Sequence, residues 1–241
     1  MLIGTAVAVV AIAVAIAFAS TAGNGGGNPS GSPSPNANSG EPSSIPSVDS
    51  VAAASAVVKS VTLKPADWGS GYVAQDPYEN SDLNEITVDQ NCNWSTQPIA
   101  GAFTTLLRSS QTPDKAVLAY SGTTAYKAAD SAQYGLTEKR EALQRCPTQR
   151  SGKTQLEDVH EINIPELKGF DEVVAEEGHE VSDENGNKVD TYYTYLTGRK
   201  GNFVLTTEVD RSGTGSQEQN RNDASSALSL MLSRLEGGSS Q

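Results

Sequence analysis

The sequence begins with an uncharged apolar run from Leu2 to Ala19, and this run constrains where the rest of the chain can fold. It reads LIGTAVAVVAIAVAIAFA. As a helix with a rise of about 1.5 Å per residue it would be about 27 Å long, and extension to Ala22 brings it to the ~30 Å hydrocarbon core of a bilayer. No polar stripe interrupts it, so a helix half-buried in a soluble core is excluded. We therefore predict that residues 1–22 are a transmembrane anchor or a signal segment.

The choice between an anchor and a cleaved signal peptide is open from sequence. Small residues at Ala17 and Ala19, or at Ser20 and Ala22, fit a signal-peptidase site. The apolar run is longer than a usual signal core of about 7–15 residues, which favours an uncleaved anchor. No Lys or Arg precedes the run, and our hypothesis is that a start codon assigned too far downstream explains this missing basic flank. We expect a single-pass protein of the cell membrane with an extracellular C-terminal domain, or a secreted protein if cleavage occurs.

The next segment, residues 23–50, has the composition of a tether. Gly, Asn, Pro and Ser supply 23 of its 28 residues, so it buries too little apolar surface to offset the entropy cost of ordering. We predict a disordered tether over 23–50, one extracytoplasmic domain over 51–236 and a flexible tail over 237–241. About 185 residues are enough for one sizeable core and too few for two ordinary domains.

Within the domain, hydrophobic periodicity predicts helices interspersed with strands. The predicted helices cover VAAASAVVKSV after an N-cap at Asp49 or Ser50, a segment starting at Pro113, residues 125–145 and residues 219–235. The predicted strands cover residues 72–75, 86–88, 102–109, 156–164, 173–181, 189–197 and 203–210. The expected fold is α+β, a meander of antiparallel strands packed by helices.

Two dipeptides, Asn185-Gly186 and Lys200-Gly201, are typical of hairpin turns. If Lys200-Gly201 is a two-residue turn, Leu196 lies opposite Leu205 and Tyr192 lies opposite Val209. This register would form one continuous apolar face between the two strands.

Charge and cysteine content narrow the possible partners. The chain has 17 Lys and Arg against 29 Asp and Glu, a formal charge of −12, so nucleic acid and anionic lipid surfaces would be repelled. Cys92 and Cys146 are its two cysteines, and outside the membrane an even pair is expected to be oxidised. We predict a Cys92–Cys146 disulfide that stabilises the domain by about 4 kcal/mol in the chain-entropy model.

Motifs for catalysis, metals or nucleotides are incomplete. Ser151-Gly152-Lys153-Thr154 resembles the end of a phosphate-binding loop, but Pro147 stands where that loop needs Gly. The calcium-like spacing of Asp183, Asn185 and Asn187 lacks a closing Glu. His160 and His179 are the two histidines, whereas zinc needs three or four convergent ligands. No G-x-S-x-G, Ser-x-x-Lys or H-E-x-x-H motif is present, so we expect neither an enzyme nor a cofactor.

The candidate ligand surface is formed by Tyr193, Tyr195 and His179. The tyrosines alternate along one predicted strand, and we expect Tyr193 and Tyr195 on its exposed face, where amphipathic rings often line binding grooves. From Thr154 to Asp190 there are 12 Asp and Glu against two Lys. This acidic run is either a solvated sheet face or a site for a cationic ligand, and a carboxylate beside His179 makes pH sensing a further option. No carboxylate pair stands out as the pair of a glycosidase.

The order of these features resembles a known family. The motifs that carry the resemblance are Leu63-x-x-Ala66-Asp67-x-x-x-Gly71-Tyr72, Cys92-x-Trp94, Leu143-x-x-Cys146-Pro147 and Gly201-Asn202-Phe203-Val204, after an apolar helix and a tether. They resemble the PknH-like extracellular sensor domains of actinobacterial Ser/Thr kinases and related cell-envelope lipoproteins, over most of residues 50–236. The resemblance implies an α+β sandwich with a ligand cleft. That family usually has two disulfides, whereas this chain can form one, and no family site is transferred to particular residues.

From the sequence we therefore predict a membrane-anchored extracytoplasmic domain that binds an unknown ligand or protein partner without catalysis. Two alternatives remain open. One is a secreted or wall-associated structural protein released by signal peptidase, and the other is an envelope hydrolase. Mass spectrometry of the mature N-terminus distinguishes the secreted protein from the anchored one. A cleft with two converging carboxylates would favour the hydrolase.

Overall fold

The computed structural model describes residues 45–152, 154–184, 187–212 and 217–237. The predicted membrane segment, most of the tether, Lys153 and the Asn185-Gly186 turn lie outside these residues. Within these ranges, no helix is both long and apolar enough to cross a membrane. The boundaries proposed for the four segments of the chain stay predictions.

The centre of the domain is an eight-stranded antiparallel sheet. Its strands are β1 (Val73–Asn80), β4 (Ala102–Gln111), β5 (Val117–Tyr126), β6 (Gln149–Ser151), β7 (Thr154–Ile162), β8 (Glu172–Glu184), β9 (Asn187–Lys200) and β10 (Phe203–Ser212), with β2 (Asn84–Val88) and β3 (Trp94–Pro98) as a separate hairpin. The order across the sheet is β1-β4-β5-β10-β9-β8-β7-β6. Strands β6 to β10 form the predicted meander, and β10 then pairs with β5, which places β10 in the interior of the sheet. The predicted α+β class is confirmed.

Three helices cover the sheet: α1 (Val51–Val61), α2 (Ala129–Arg145) and α3 (Gln217–Gly237). Helix α1 begins where the sequence predicts, because the Ser50 hydroxyl accepts a hydrogen bond from the Ala53 amide at 3.2 Å and so caps the first turn. Helix α2 ends at Arg145, immediately before Cys146-Pro147.

Helices α1 and α3 pack on one face of the sheet and form the larger part of the core. The largest fully buried apolar side chains in it are Phe203, Leu63, Leu196, Leu205, Leu228, Met231 and Leu235. Successive residues of a strand point to opposite faces, so the odd-numbered residues from Phe203 to Val209 on β10 belong to this core. Thr207 also donates to the Ala224 carbonyl of α3 at 3.0 Å.

The opposite face carries helix α2 and the β2–β3 hairpin. Leu136 and Leu143 of α2 pack in a second core with Val174 and Val204 of the sheet. Cys92, beside the hairpin, is bonded to Cys146 at the end of α2, with 5.4 Å between the Cα atoms. The predicted disulfide is therefore formed, and it fixes the hairpin to the last turn of α2.

Three local predictions are wrong. The segment from Pro113 is a turn followed by strand β5, and α2 starts at Ala129 rather than 125, since Ala125 and Tyr126 end that strand. The β9–β10 turn is Gly201-Asn202, so Leu196 lies opposite Thr207 and Tyr192 opposite Arg211. This register differs by two residues from the predicted one. Because two residues is one full period of a strand, the predicted apolar face is kept.

Candidate functional site

The sheet face on the α2 side carries a group of acidic and phenolic side chains near the ends of the strands away from α2. We name this group the carboxyl–tyrosine cluster. Its members are Glu176 and Glu180 on β8, Tyr193 and Tyr195 on β9, Glu208 and Asp210 on β10 and Tyr120 on β5, with Gln75 of β1 and Lys139 of α2 at its border. Four strands therefore supply the members of the cluster, and β1 and α2 supply the residues at its border.

Glu208 and Asp210 lie side by side because they are two residues apart on β10. Both carboxyl groups therefore lie on the α2 side of the sheet, and each affects the pKa of the other. Burial and the neighbouring carboxylate of Glu176 raise the pKa of Glu208 to about 7, and burial and Glu208 raise the pKa of Asp210 well above its usual range. The pair therefore retains a proton at a pH where isolated carboxyl groups are ionised.

Glu176 is held between two partners. The Lys139 ammonium lies 2.8 Å from Glu176 Oε2, and the Tyr193 hydroxyl donates to Glu176 Oε1 at 2.8 Å. Lys139 Nζ also lies 3.7 Å from the centre of the Tyr195 ring, a cation–π contact. Burial is the largest single effect on Lys139 and favours its neutral form, but Glu176 and the other acidic neighbours together outweigh it, so the pKa of Lys139 is raised. Lys139 is thus paired with Glu176 and also lowers the pKa of Glu208.

Gly178 makes room for Tyr193 on this face. A Cβ atom at position 178 would lie 2.8 Å from the Tyr193 hydroxyl oxygen and 2.9 Å from its Cε1 atom. Gly178 is the direct cross-strand partner of Tyr193. The absence of a side chain there lets the ring lie flat across β8 and reach Glu176.

Two buried oxygen atoms in the cluster have no hydrogen-bond partner. They are Oδ1 of Asp210 and Oε1 of Gln75, and each residue is 8% exposed. The Gln75 side chain lies close enough to the Tyr120 phenol to lower its pKa, which places Gln75 at the cluster. Buried polar atoms are nearly always satisfied, so two unpartnered acceptors on one face of the sheet are an unusual feature of this region.

The residues predicted as a ligand surface do not lie together. Tyr193 and Tyr195 share the cluster, but Tyr193 is 5% exposed rather than on the surface as expected, and Tyr195 is half-buried. His179 lies on the opposite face, paired with Tyr192, with ring centres 5.5 Å apart. Its nitrogens are 3.7 Å from Glu157 and 3.8 Å from Asp158. The structure therefore divides the predicted surface between the two sides of the sheet.

Sequence reasoning missed Glu208, Asp210, Tyr120 and Gln75. A signal for the first two was present, because strand alternation in FVLTTEVD places Glu208 and Asp210 on the face opposite Val209. Tyr120 was missed because the sequence predicts a helix from Pro113, whereas the segment that contains Tyr120 is strand β5. Gln75 reaches the cluster from an edge strand, and no local pattern indicates this contact.

Other candidate sites are weaker. A shallow depression of about 350 Å³ is lined by Glu161, Ile162, Asn163, Ile164, Val173 and Ala175. Its one ionisable side chain, Glu161, is already paired with Arg140 at 3.0 Å. In the described ranges, no three His, Cys, Asp or Glu side chains are grouped as metal ligands. Thr154, the end of the phosphate-loop-like motif, begins strand β7 rather than a helix.

Comparison with known proteins gives structural likeness alone. No family model and no curated protein matches the chain. Among solved structures, the chain is similar to the extracellular domain of PknH from Mycobacterium tuberculosis, with 12% identity, a TM-score of 0.48 and coverage of 73% of this chain and 94% of that one. It is also similar to LpqN, involved in cell envelope biogenesis of Mycobacterium tuberculosis, with 14% identity, a TM-score of 0.26 and coverage of 66% and 87%.

Proposed function

We propose that this protein is an extracytoplasmic, membrane-anchored, sensor-like domain that binds a ligand at the carboxyl–tyrosine cluster without catalysing a reaction. The observation that carries the proposal is the pair of buried, unpartnered acceptors, Asp210 Oδ1 and Gln75 Oε1, beside a carboxyl pair that retains a proton. A domain that needed only stability would be expected to avoid both features. Perturbed carboxyl groups and unsatisfied acceptors together are typical of binding and catalytic sites.

The compartment is supported by two independent features of the chain. The uncharged run over residues 2–19 has the length and composition of a membrane anchor. The disulfide between Cys92 and Cys146 is compatible with an oxidising compartment outside the cytoplasm. Together they support a domain on the outer side of the membrane, with the tether as a spacer.

A hydrolase is the second candidate, because Glu208 and Asp210 are converging carboxyl groups. Glycosidases separate their two carboxyl groups by at least about 5 Å so that a sugar or water fits between them. Glu208 and Asp210 lie on one face of a single strand rather than on two opposite walls of a cleft, which does not favour a glycosidase. Two neighbouring carboxyl groups, one of them with a raised pKa, also form the dyad of aspartic proteases, so protease activity is the form of this alternative to test.

The proposal is tested by thermal-shift screening of the full-length chain in detergent against amines, short peptides, sugars and wall fragments. A ligand stabilises the folded state by mass action, so a genuine ligand raises the melting temperature in a concentration-dependent way. The test variant is Asp210→Asn, which keeps the shape of the side chain. The control is Asp82→Asn, an equal change of charge at an exposed position.

A ligand of this site stabilises the wild-type chain and the Asp82→Asn variant but stabilises Asp210→Asn much less. Equal stabilisation of both variants by every active compound would place the binding elsewhere and contradict the proposal. Cleavage of a peptide library that is abolished by Asp210→Asn would favour the hydrolase instead.

A further inference from the structure

We infer that His179 is a pH-operated clamp on strand β7: the ring with both nitrogens protonated holds Glu157 and Asp158 together, and loss of one proton releases Asp158. The clamp lies on the face of the sheet opposite the carboxyl–tyrosine cluster, so it does not depend on ligand binding there. It would give the domain a response to the pH of its surroundings that is built into the fold.

A bulge in β7 brings two consecutive carboxylates to the same side of the sheet. Adjacent residues of a regular strand point to opposite faces. Asp158 has a left-handed backbone conformation, with a φ of 52°, and the register with β8 shifts between Glu157 and His160. Such a bulge re-aims the side chain that it contains, and here the Asp158 carboxylate reaches the same imidazole as Glu157. A left-handed conformation is costly for a residue with a Cβ atom, so its presence indicates a role besides strand pairing.

Each ring nitrogen of His179 faces one of these carboxylates. Nε2 lies 3.7 Å from Glu157 Oε2, and Nδ1 lies 3.8 Å from Asp158 Oδ2. A neutral imidazole has one N–H group and one lone pair, so it can donate to one carboxylate and repels the other. The imidazolium ion has two N–H groups and can donate to both. Both contacts are therefore favourable only when the ring carries its second proton.

The titratable groups that face His179 come from the two strands beside it. Strand β7 supplies the two carboxylates, and β9 supplies Tyr192, whose ring centre lies 5.5 Å from that of His179. On helix α3, Arg221 donates to both oxygens of Glu177, two residues before His179, so its charge is compensated there. Histidine ordinarily changes its charge between about pH 5 and 8, so the clamp would close within this range as the pH falls.

Asp158 is the carboxylate that can move away when the ring is neutral. Glu157 Oε1 accepts a hydrogen bond from the Gln155 amide at 2.5 Å, which holds that side chain in place. The Asp158 side chain is 86% exposed, against 40% for Glu157. His160 Nδ1 donates to the Asp158 carbonyl oxygen at 2.6 Å, so both histidines of the chain contact this one residue. The main chain of Asp158 is thus held while its carboxylate can turn to solvent.

The bulge is joined to the end of α2 that carries the disulfide. The Val159 amide donates to the Pro147 carbonyl oxygen at 2.9 Å, and Pro147 follows the disulfide-bonded Cys146. Release of Asp158 removes a contact that holds the left-handed bulge. The Val159–Pro147 hydrogen bond should therefore open more often at about pH 7.5 than at about pH 5.5.

The experiment is an NMR titration of the isotope-labelled full-length chain in micelles from about pH 8 to about pH 5. The ring nitrogens of His179 report its protonation, and the side-chain carboxyl carbons of Glu157 and Asp158 report the response. Both carboxyl signals should shift at the midpoint of the His179 titration, in addition to their own titration at lower pH. His179→Gln should remove these shifts. Asp158→Asn, which tolerates the left-handed conformation, should keep the Glu157 shift.

Hydrogen exchange of the Val159 amide tests the consequence for the bulge. Its protection factor should be about two- to fivefold higher at about pH 5.5 than at about pH 7.5, as expected of a partly exposed ion pair. His179→Gln should remove this difference, whereas His160→Gln, which removes the other imidazole, should keep it. The Leu205 amide, in the larger core, monitors global unfolding in the same samples.

Three results would overturn the inference. The first is a set of carboxyl signals that does not respond at the His179 midpoint. The second is a Val159 protection factor with the same pH dependence in the wild-type chain and in His179→Gln. The third is a response that persists in His179→Gln and is lost in His160→Gln, which would assign it to the other histidine. None of these results affects the proposed function, because ligand binding is tested on the opposite face with Asp210→Asn.

Discussion

Glu208 and Asp210 are neighbours on one face of the interior strand β10, the face opposite helices α1 and α3, and the pKa of each carboxyl group is raised. Strand β10 has β5 on one side and β9 on the other, so neither side chain can turn to solvent by a shift of the backbone. A protonated carboxyl pair in such a position reduces stability at neutral pH, because the unfolded chain would ionise both groups freely. A cost of this kind is typical of a functional site, where local rules of stability are broken.

The first prediction concerns the pH dependence of stability. The folded-state pKa of Glu208 is about 7, above its unfolded value of about 4.5, so the folded state binds more protons between these values. The free energy of unfolding should therefore fall as pH rises from about 5 to 7.5, by about 1–3 kcal/mol. Urea unfolding at a series of pH values measures this, and Glu208→Gln should remove most of the decline. An unchanged slope in that variant would show that another group causes it.

The second prediction is that acid lowers the stability of the folded chain, because of the ion pair between Asp67 and Arg234. The Arg234 guanidinium donates to both carboxylate oxygens of Asp67, at 2.7 and 2.9 Å, and this pairing lowers the pKa of Asp67. A lowered folded-state pKa stabilises the protein above the unfolded value and is lost as pH falls. Stability should therefore decrease on acidification from about pH 4.5 to 2.5, and Asp67→Asn should reduce that decrease. A decrease of equal size in Asp67→Asn would contradict the assignment.

The third prediction concerns the disulfide. Replacement of Cys92 and Cys146 together by Ser removes a cross-link between residues 54 positions apart and should lower the free energy of unfolding by about 4 kcal/mol. Chemical reduction of the wild-type chain is the matched control and should give the same loss. Urea midpoints measure both, and a loss below about 1 kcal/mol would show that the hairpin is held to α2 by packing alone.

The sequence allowed much of the α1–α3 side of the fold to be predicted, because local patterns specify it. Alternation along β8, β9 and β10 and the 3.6-residue period of α3 identify the residues that meet in the larger core. Ser50 indicates the start of α1, and Cys146-Pro147 indicates the end of α2. In each case the residues that give the signal are within a few positions, along the chain, of the structural feature that they predict.

The site was harder to predict, since it depends on pairing between distant segments. Val117–Tyr126 contains small and polar residues, and only its pairing with β4 and β10 makes it a strand. Without β5, strand β10 would be at an edge of the sheet and its carboxyl groups would be more exposed to solvent. The proximity of Tyr120 to Gln75 and Asp210 is likewise a property of the assembled sheet.

The fourth prediction concerns an ion pair on the opposite face between a buried carboxylate, Glu177, and a half-exposed arginine, Arg221. Glu177 is 0% exposed, and both of its oxygens accept hydrogen bonds from Arg221 of α3 at 2.6 Å. Arg221→Ala would leave a buried carboxylate with the Thr194 hydroxyl at 2.9 Å as its remaining partner, which should cost about 2–4 kcal/mol. Arg150→Ala, at an exposed position, is the control and should change the free energy of unfolding by less than about 0.5 kcal/mol. Similar losses for the two variants would argue against the buried pair.

The last prediction tests how Tyr193 is positioned. In Gly178→Ala the new Cβ atom would overlap the Tyr193 ring and come within 3.1 Å of the Glu157 carbonyl oxygen, so the ring must move away from Glu176. We expect a loss of about 1–3 kcal/mol and a change in the near-ultraviolet circular dichroism of the tyrosines. Gly135→Ala is a control of opposite sign, because its Cβ atom would meet only the Tyr126 hydroxyl at 3.8 Å and Ala stabilises a helix interior by about 0.5–1 kcal/mol. In the background of Tyr193→Ala the cost of Gly178→Ala should shrink, and a cost that stayed the same would place the conflict in the backbone rather than in the ring.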